Sequence, residues 1–229
     1  MRAVCSTRQG GCSTGAFASL NLGLHVNDDP VLVSENRRRY QQLAHMPASP
    51  VWLQQVHGIR VLPLSQHTVP GEIADASVTA EPGIVASVMT ADCLPLLLCD
   101  IQGSKVAAIH AGWRGLCSGI IEATLAHFSV PEQVMVYLGP AISQTAFEVG
   151  PEVRAAFIAH QALAEVAFTA ASNGKFFADL YLLARQRLQH CGVSQIYGGS
   201  FCTHRQTELF FSYRRDGQTG RMASSIWLD

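Results

Sequence analysis

Three side chains stand where an apolar run gives way to small or polar residues. His57 follows residues 51–56 and precedes Gly58. Cys93 lies in Thr90-Ala91-Asp92-Cys93-Leu94-Pro95, and His110 ends Val106-Ala107-Ala108-Ile109 just before Ala111-Gly112-Trp113-Arg114-Gly115. Polar groups that interrupt a buried strand cost stability unless they find partners, so a function is the usual reason to keep them. Glycine beside His57 lets the chain turn and leaves the imidazole facing a cleft. Two imidazoles and one thiolate make a borderline-soft donor set suited to zinc. Three protein donors leave the fourth position open, as a catalytic centre requires. Such a centre acts as a Lewis acid or activates water. Copper is an adventitious alternative, because it outcompetes zinc in most nitrogen and sulfur sites. Taken singly, Cys93 also reads as a small buried hydrophobe and His57 as a hydrogen-bonded loop histidine. No compact ligand motif joins the three.

The segment after His110 suggests a second function. Gly112-Trp113-Arg114-Gly115 opens a helix whose free N–H groups attract anions, and Arg114 is placed to clamp a phosphate oxygen. The alternative is that Gly112 and Gly115 serve a tight turn while Trp113 packs. Other polar stretches suggest the rest of a pocket: 6–11 with Arg8, 21–23 with Asn21, Asp75-Ala76, and 211–217 with Ser212 and Arg215. Arginines there suit phosphate or a stacked purine, a surface ion pair being the ordinary alternative. His25, His45, His67, His127, His160, His190 and His204 read as surface or packing residues. Cys5, Cys12, Cys99, Cys117, Cys191 and Cys202 read as unpaired thiols.

The elements that must position these residues follow from breakers and periodicity. Asn27-Asp28-Asp29-Pro30 announces a helix to about Leu43. Residues 51–56, 59–64, 84–89, 94–99 and 106–110 are apolar runs of strand length. An amphipathic helix is expected over 116–128, a strand over 134–138, and helices over 151–163 and from Asp179 to Cys191. Strand character returns at 196–197, 209–213 and 225–228. Strands and helices are mixed rather than strictly alternating, which favours an α/β or α+β sandwich-like domain with a mixed sheet and flanking helices. No linker or repeat divides residues 1–229, so one domain is expected, and with 48% apolar residues it can bury a full core.

Lys and Arg number 16 against 17 Asp and Glu, so nothing in the charge supports nucleic-acid binding. Arg37-Arg38-Arg39 reads as a solvated helix face. No apolar run is long enough to cross a bilayer and no signal peptide is visible, so a cytoplasmic protein is expected, with no membrane association and no obligate protein partner. Seven cysteines without a Cys-x-x-Cys pair point to reduced thiols.

The sequence resembles the YfiH/YlmD family, formerly labelled polyphenol oxidase or laccase-domain proteins and later described as purine nucleoside phosphorylases. The resemblance runs nearly end to end. It is carried by Thr7-Arg8 with Gly10-Gly11, Leu20-Asn21-Leu22-Gly23, Gln55-Val56-His57-Gly58, residues 90–95, residues 109–115, Leu138-Gly139-Pro140-Ala141-Ile142, Phe147-Glu148-Val149-Gly150, and Phe210-Phe211-Ser212-Tyr213-Arg214-Arg215-Asp216. It implies that His57, Cys93 and His110 are the zinc ligands. It also implies a sandwich-like fold related to the cysteine-hydrolase domain of cytotoxic necrotizing factor toxins. The implied activities are phosphorolysis of adenosine, inosine, guanosine and methylthioadenosine, with adenosine deamination as a second reaction. The chain begins almost at the first family motif, without the short leader of many members, and this is not expected to alter the site.

Three functions compete. In the first, phosphate and a purine nucleoside meet at the zinc, with Asp92 or a pocket arginine orienting them. In the second, Cys93 is the nucleophile and His110 the base of a hydrolase that edits peptidoglycan precursors, a role the resemblance also suggests. In the third, the zinc is structural and the protein binds a partner, but no convincing fourth ligand is present, and Asp92 is directed away from Cys93 if both lie on a strand. A multicopper oxidase is disfavoured because there is no His-x-His pair. The cytidine-deaminase pattern is absent too, since His110 is followed by Ala-Gly and no Pro-Cys-x-x-Cys occurs.

Overall fold

Local signals set most of the elements in the computed structural model, which describes residues 1–229. The chain runs through β1 (Arg2–Cys5), α1 (Pro30–Leu43), β2 (Val61–Pro63), β3 (Ala76–Thr79), β4 (Ala86–Thr90), β5 (Leu94–Asp100) and β6 (Val106–Ala111). It continues through α2 (Trp113–Ser118), α3 (Ile120–Leu125), β7 (Val134–Leu138), β8 (Glu148–Val149), α4 (Pro151–His160), β9 (Phe168–Ala170) and β10 (Phe176–Ala178). The last elements are α5 (Leu180–His190), β11 (Gln195–Gly198), α6 (Tyr213–Asp216) and β12 (Met222–Trp227). Asp29 caps α1 by accepting from the Val31 N–H at 2.8 Å, with Pro30 at the first helical position. Asp179 caps α5 through the Leu182 N–H at 3.0 Å. Each such cap stabilises by about 1 kcal/mol.

A six-stranded mixed sheet has the order β11-β7-β5-β6-β3-β2, and a three-stranded sheet has the order β1-β12-β4. Alternation along the central strands decides what faces what. Leu94, Leu96 and Leu98 of β5, with Ala107, Ile109 and Ala111 of β6, lie in the same core as α2 to α5. The intervening Leu97, Cys99, Val106 and Ala108 meet Ala86, Val88 and Ile226 between the two sheets. On the outer side of the small sheet, Val85, Met89, Ala223 and Trp227 pack with Tyr40 of α1. The result is four layers: helices, large sheet, small sheet, helix α1. The same alternation puts His110, between Ile109 and Ala111, on the inter-sheet side at one end of the sandwich.

Several expectations are corrected. Residues 51–56 form no strand: Val51 bridges Ala86 of the small sheet and Gln54 bridges Ile73, just before the large one. The segment crosses the end of the sandwich and pairs with each side for a single residue. The expected helix over 116–128 is two helices, because Gly119 turns left-handed at φ 106° and ends α2. The strand expected over 209–213 is instead a loop whose Ser212 caps α6 through the Arg215 N–H. The helix expected over 151–163 ends at His160. Within the triple arginine, Arg38 and Arg39 pair with Glu35 on the surface, whereas Arg37 turns inward to the Leu22 carbonyl and stacks on Trp52. Strands β1, β3 and β8 to β10 carried no clear sequence signal, being short or rich in small residues. No helix is long and apolar enough to cross a membrane.

Candidate metal centre

The three donors converge because three chain crossings meet at one end of the sandwich. Cys93 sits in the link by which the chain passes from β4 in the small sheet to β5 in the large one. His110 is near the end of β6, paired across to Pro95 at the start of β5. His57 lies on the crossing segment at φ 61°, a left-handed conformation uncommon for a side chain of its size. The ligand atoms of His57, Cys93 and His110 all lie within 4.8 Å of one another. The Cys93 Sγ to His57 Nε2 distance is 3.7 Å, close to the roughly 3.5 Å edge of a tetrahedral zinc centre with ordinary Zn–S and Zn–N bonds. Gly112 is what permits this approach: a Cβ there would fall 2.6 Å from His57 Cδ2 and 3.1 Å from Cys93 Sγ. The donor chemistry and spacing therefore fit a zinc-type ion.

Asp75, immediately before β3, holds this arrangement together. Its carboxylate is completely buried. One oxygen accepts from the His57 N–H at 2.9 Å and pairs with His110 Nδ1 at 2.8 Å. The other accepts from the N–H groups of Gly58 at 2.7 Å and Val56 at 3.2 Å. The left-handed turn at His57 is thus held by the same carboxylate that orients His110 and leaves its Nε2 free. A carboxylate behind a ligating histidine is the usual way to set tautomer and basicity. Burial alone would raise the Asp75 pKa, but His110 and the backbone donors of Gly58 and Val56 hold it below the ordinary carboxylate value.

The same competition governs the other two groups. Burial works against ionising Cys93, yet His110 and His57 bring its thiol down to about 6. Burial works against charging His110, yet Cys93 and Asp75 push it up to about 9. Without metal the site is a thiolate–imidazolium pair backed by a carboxylate. A metal held by these three donors would take the thiolate and displace the His110 Nε2 proton.

The donors open into a cavity of about 450 Å³, within the range of small-molecule sites. His25, Gln55, Met89, Thr90, Ala91, Tyr213 and Arg221 complete its lining. His25, read from sequence as surface or packing, is a wall residue, and Arg221 was not singled out at all. The only available signal for Arg221 was its place after Thr219-Gly220 near the C-terminal polar stretch. Gln55 is tied to β4 through both the N–H and the carbonyl of Met89.

The remaining sequence candidates lie mostly behind the wall. Asp92, at φ 86°, turns its carboxylate to Thr203 Oγ1, Ser212 Oγ and the Arg214 N–H at 2.6, 3.0 and 2.7 Å. Arg215 donates to the carbonyls of Thr203, His204 and Phe210, and Arg8 to those of Ala18 and Thr207. Buried Asn21 accepts from the N–H groups of Gly23 and Arg221. Arg114 is exposed and stacks on Trp113, outside the cavity lining. Gly112 and Gly115 serve close packing, since a Cβ at 115 would lie 2.8 Å from the Gly58 carbonyl oxygen.

A family model described as multi-copper polyphenol oxidoreductase laccase matches residues 2–229. The purine nucleoside phosphorylase YfiH of Escherichia coli (strain K12) is 54% identical over 227 residues, spanning 99% of this chain and 93% of its own. A purine nucleoside phosphorylase of Haemophilus influenzae is 45% identical over 232 residues, spanning 100% and 95%. Among solved structures, a Neisseria meningitidis DUF152 protein matches with a TM-score of 0.95 and 49% identity, covering 99% of this chain and 93% of that one. YlmD from Geobacillus stearothermophilus matches at 0.89 and 31% identity, covering 99% and 92%.

Proposed function

We propose, given that this chain belongs to the multi-copper polyphenol oxidoreductase laccase family together with the YfiH proteins, that it is a zinc-dependent purine nucleoside phosphorylase. The observation that carries this reading is the cluster of His57, Cys93 and His110 on the wall of a cavity that Arg221, His25 and Tyr213 also line. The substrates are adenosine, inosine, guanosine and methylthioadenosine, and adenosine is also deaminated to inosine and ammonia. The family description names several coppers. This chain gathers one three-donor cluster and has no His-x-His pair, so the ligands of a multicopper centre are lacking. Zinc is the resident ion of this reading, in a cytoplasmic protein that keeps its seven cysteines free.

In phosphorolysis a phosphate oxygen bonds to the anomeric carbon while the bond from that carbon to the purine nitrogen breaks. The electron pair leaves with the base, the proton of hydrogen phosphate ends on the base, and ribose 1-phosphate is the other product. His57, Cys93 and His110 would hold the zinc, which supplies Lewis acidity at the reacting oxygen. Asp75 keeps the His110 proton on Nδ1, and Gln55, tied to β4, fixes the crossing segment. Met89 and Ala91 give the cavity an apolar side for a base to pack on. Asn21, Ser212, Arg8 and Arg215 act through the loops that build the wall. The test is incubation with adenosine, with and without phosphate. Adenine and ribose 1-phosphate are expected only with phosphate, and inosine without it. Neither product from zinc-loaded protein refutes the reading.

A second reading has its own observation: Cys93, His110 and Asp75 are in the order of a thiolate, base and orienting carboxylate. In that case the sandwich is a relative of the cytotoxic necrotizing factor cysteine hydrolases, and the substrate is a peptidoglycan precursor. Covalent labelling of Cys93 in active, metal-free protein would favour it over phosphorolysis.

A further inference from the structure

We propose that Arg221 is the oxyanion subsite of the cavity, holding inorganic phosphate in a two-pronged grip beside His57, Cys93 and His110. This rests on the phosphorolysis reading for the identity of the anion. The argument is one of donors left over. The Arg221 guanidinium is half-buried on the cavity wall. Its Nη1 donates to the carbonyls of Thr219 and Gly220, both at 3.0 Å. Its Nε and Nη2 have no partner in the protein, and these two atoms form the edge of the guanidinium that matches two oxygens of a phosphate or carboxylate.

A half-buried guanidinium normally finds a carboxylate, because desolvating an unpaired charge is expensive. No Asp or Glu lines this cavity, and Arg221 forms no ion pair. The surrounding chain nevertheless fixes the residue. Its N–H is held by Asn21 Oδ1 at 2.9 Å. Its stem lies so close to Gly23 that a Cβ there would meet Arg221 Cγ at 2.8 Å. The Tyr213 ring lies below the guanidinium, 5.9 Å from ring centre to Cζ. The other arginines nearby are committed elsewhere. Arg37 donates to Leu22 and stacks on Trp52, and Arg214 donates to the Glu148 carbonyl. Arg215 spans three carbonyls. Thr90, whose hydroxyl makes no bond within the protein, lines the same cavity. Arg221 therefore carries an unpaired fork on the wall of the same cavity that the three donors line.

The test compares wild type with Arg221→Met, Arg221→Lys and Gly23→Ala, all zinc-loaded, by phosphate KM, nucleoside KM and calorimetric titration with inorganic phosphate. Arg221→Met is expected to raise the phosphate KM by roughly 30- to 300-fold, the loss of two charge-assisted hydrogen bonds. The nucleoside KM and zinc content should stay within about twofold. Arg221→Lys, which keeps charge but loses the fork, should fall between. Gly23→Ala, which displaces the stem without removing the residue, should also weaken phosphate, and it keeps the test open if Arg221→Met does not fold. If wild type performs no phosphorolysis, the titration still decides: phosphate binding lost in Arg221→Met supports the subsite even as the phosphorylase reading fails. Unchanged phosphate binding in the variants overturns the proposal, as does wild type that binds no phosphate.

Discussion

Replacing Asp75 with Asn removes one charge and almost no volume, so its effect isolates the carboxylate. Four donors converge on Asp75: the N–H groups of Val56, His57 and Gly58, and His110 Nδ1. An amide keeps one oxygen for two of them and turns its own N–H groups toward the other two. Each buried donor left facing a donor costs about 1–3 kcal/mol, so the metal-free variant should lose about 2–6 kcal/mol. His57 is exposed, and water returning to that turn places the expectation near about 3 kcal/mol. The variant also releases the His110 tautomer, so zinc affinity should fall by about 10- to 100-fold. The Asp75 pKa is depressed in the folded state. Its contribution is therefore complete above the unfolded carboxylate value of about 3.9 and is lost as pH falls through the lower folded value, where wild type and variant should converge. Urea unfolding of the metal-free proteins between pH 3 and 7, with zinc competition against a chromophoric chelator, measures both effects. A variant within about 0.5 kcal/mol of wild type at pH 7, with zinc affinity within twofold, would refute the reasoning.

In metal-free protein, Cys93 alkylation should titrate with a midpoint near 6, using Cys93→Ser as the blank; a midpoint near the ordinary thiol value of 9.0 would show that no ion pair exists. The sign for stability follows from the two shifts. The Cys93 contribution is complete above 9.0 and lost as pH falls through about 6, while the His110 contribution is complete below 6.5 and lost as pH rises through about 9. The ion pair therefore persists between about 6 and 9. Gly112→Ala should abolish stoichiometric zinc, read by metal analysis, while costing only about 1–3 kcal/mol of stability; full zinc loading would contradict the packing argument. Asp92→Ala should destabilise by about 3 kcal/mol or more in urea unfolding, because it strips the acceptor of the Thr203 and Ser212 hydroxyls and the Arg214 N–H, each unsatisfied donor costing about 1–3 kcal/mol.

How much was legible in the sequence depended on whether the signal was local. Helices α1 and α5 were readable because Asp29 and Asp179 cap their own chain two and three residues on. Strands β5 and β6 were readable because their apolar runs are buried on both sides, and β7 because its run is apolar throughout although Tyr137 faces out. His57, Cys93 and His110 stood out by their places at strand ends, and the family resemblance then joined them into one set. Asp75 could be listed only as a weak pocket candidate, since its four partners come from segments 17 to 35 residues away. The crossing of 51–56 between two sheets was hidden for the same reason: an apolar run reports burial and says nothing of what it pairs with.

The sequence pointed to the capped helices, the apolar central strands and a mixed α+β class, and with the family resemblance it singled out His57, Cys93 and His110 as candidate donors. Tertiary structure alone decided which polar groups are spent and which are left over. Asp92, Arg8 and Arg215 looked free in the chain and are consumed by hydrogen bonds behind the wall. His25 and Arg221 looked unremarkable and stand in the cavity. The physical reason is that the fate of a donor or acceptor is set by the nearest partner in space. In this fold that partner is 111 residues away for Asp92 and 200 for the Arg221 backbone.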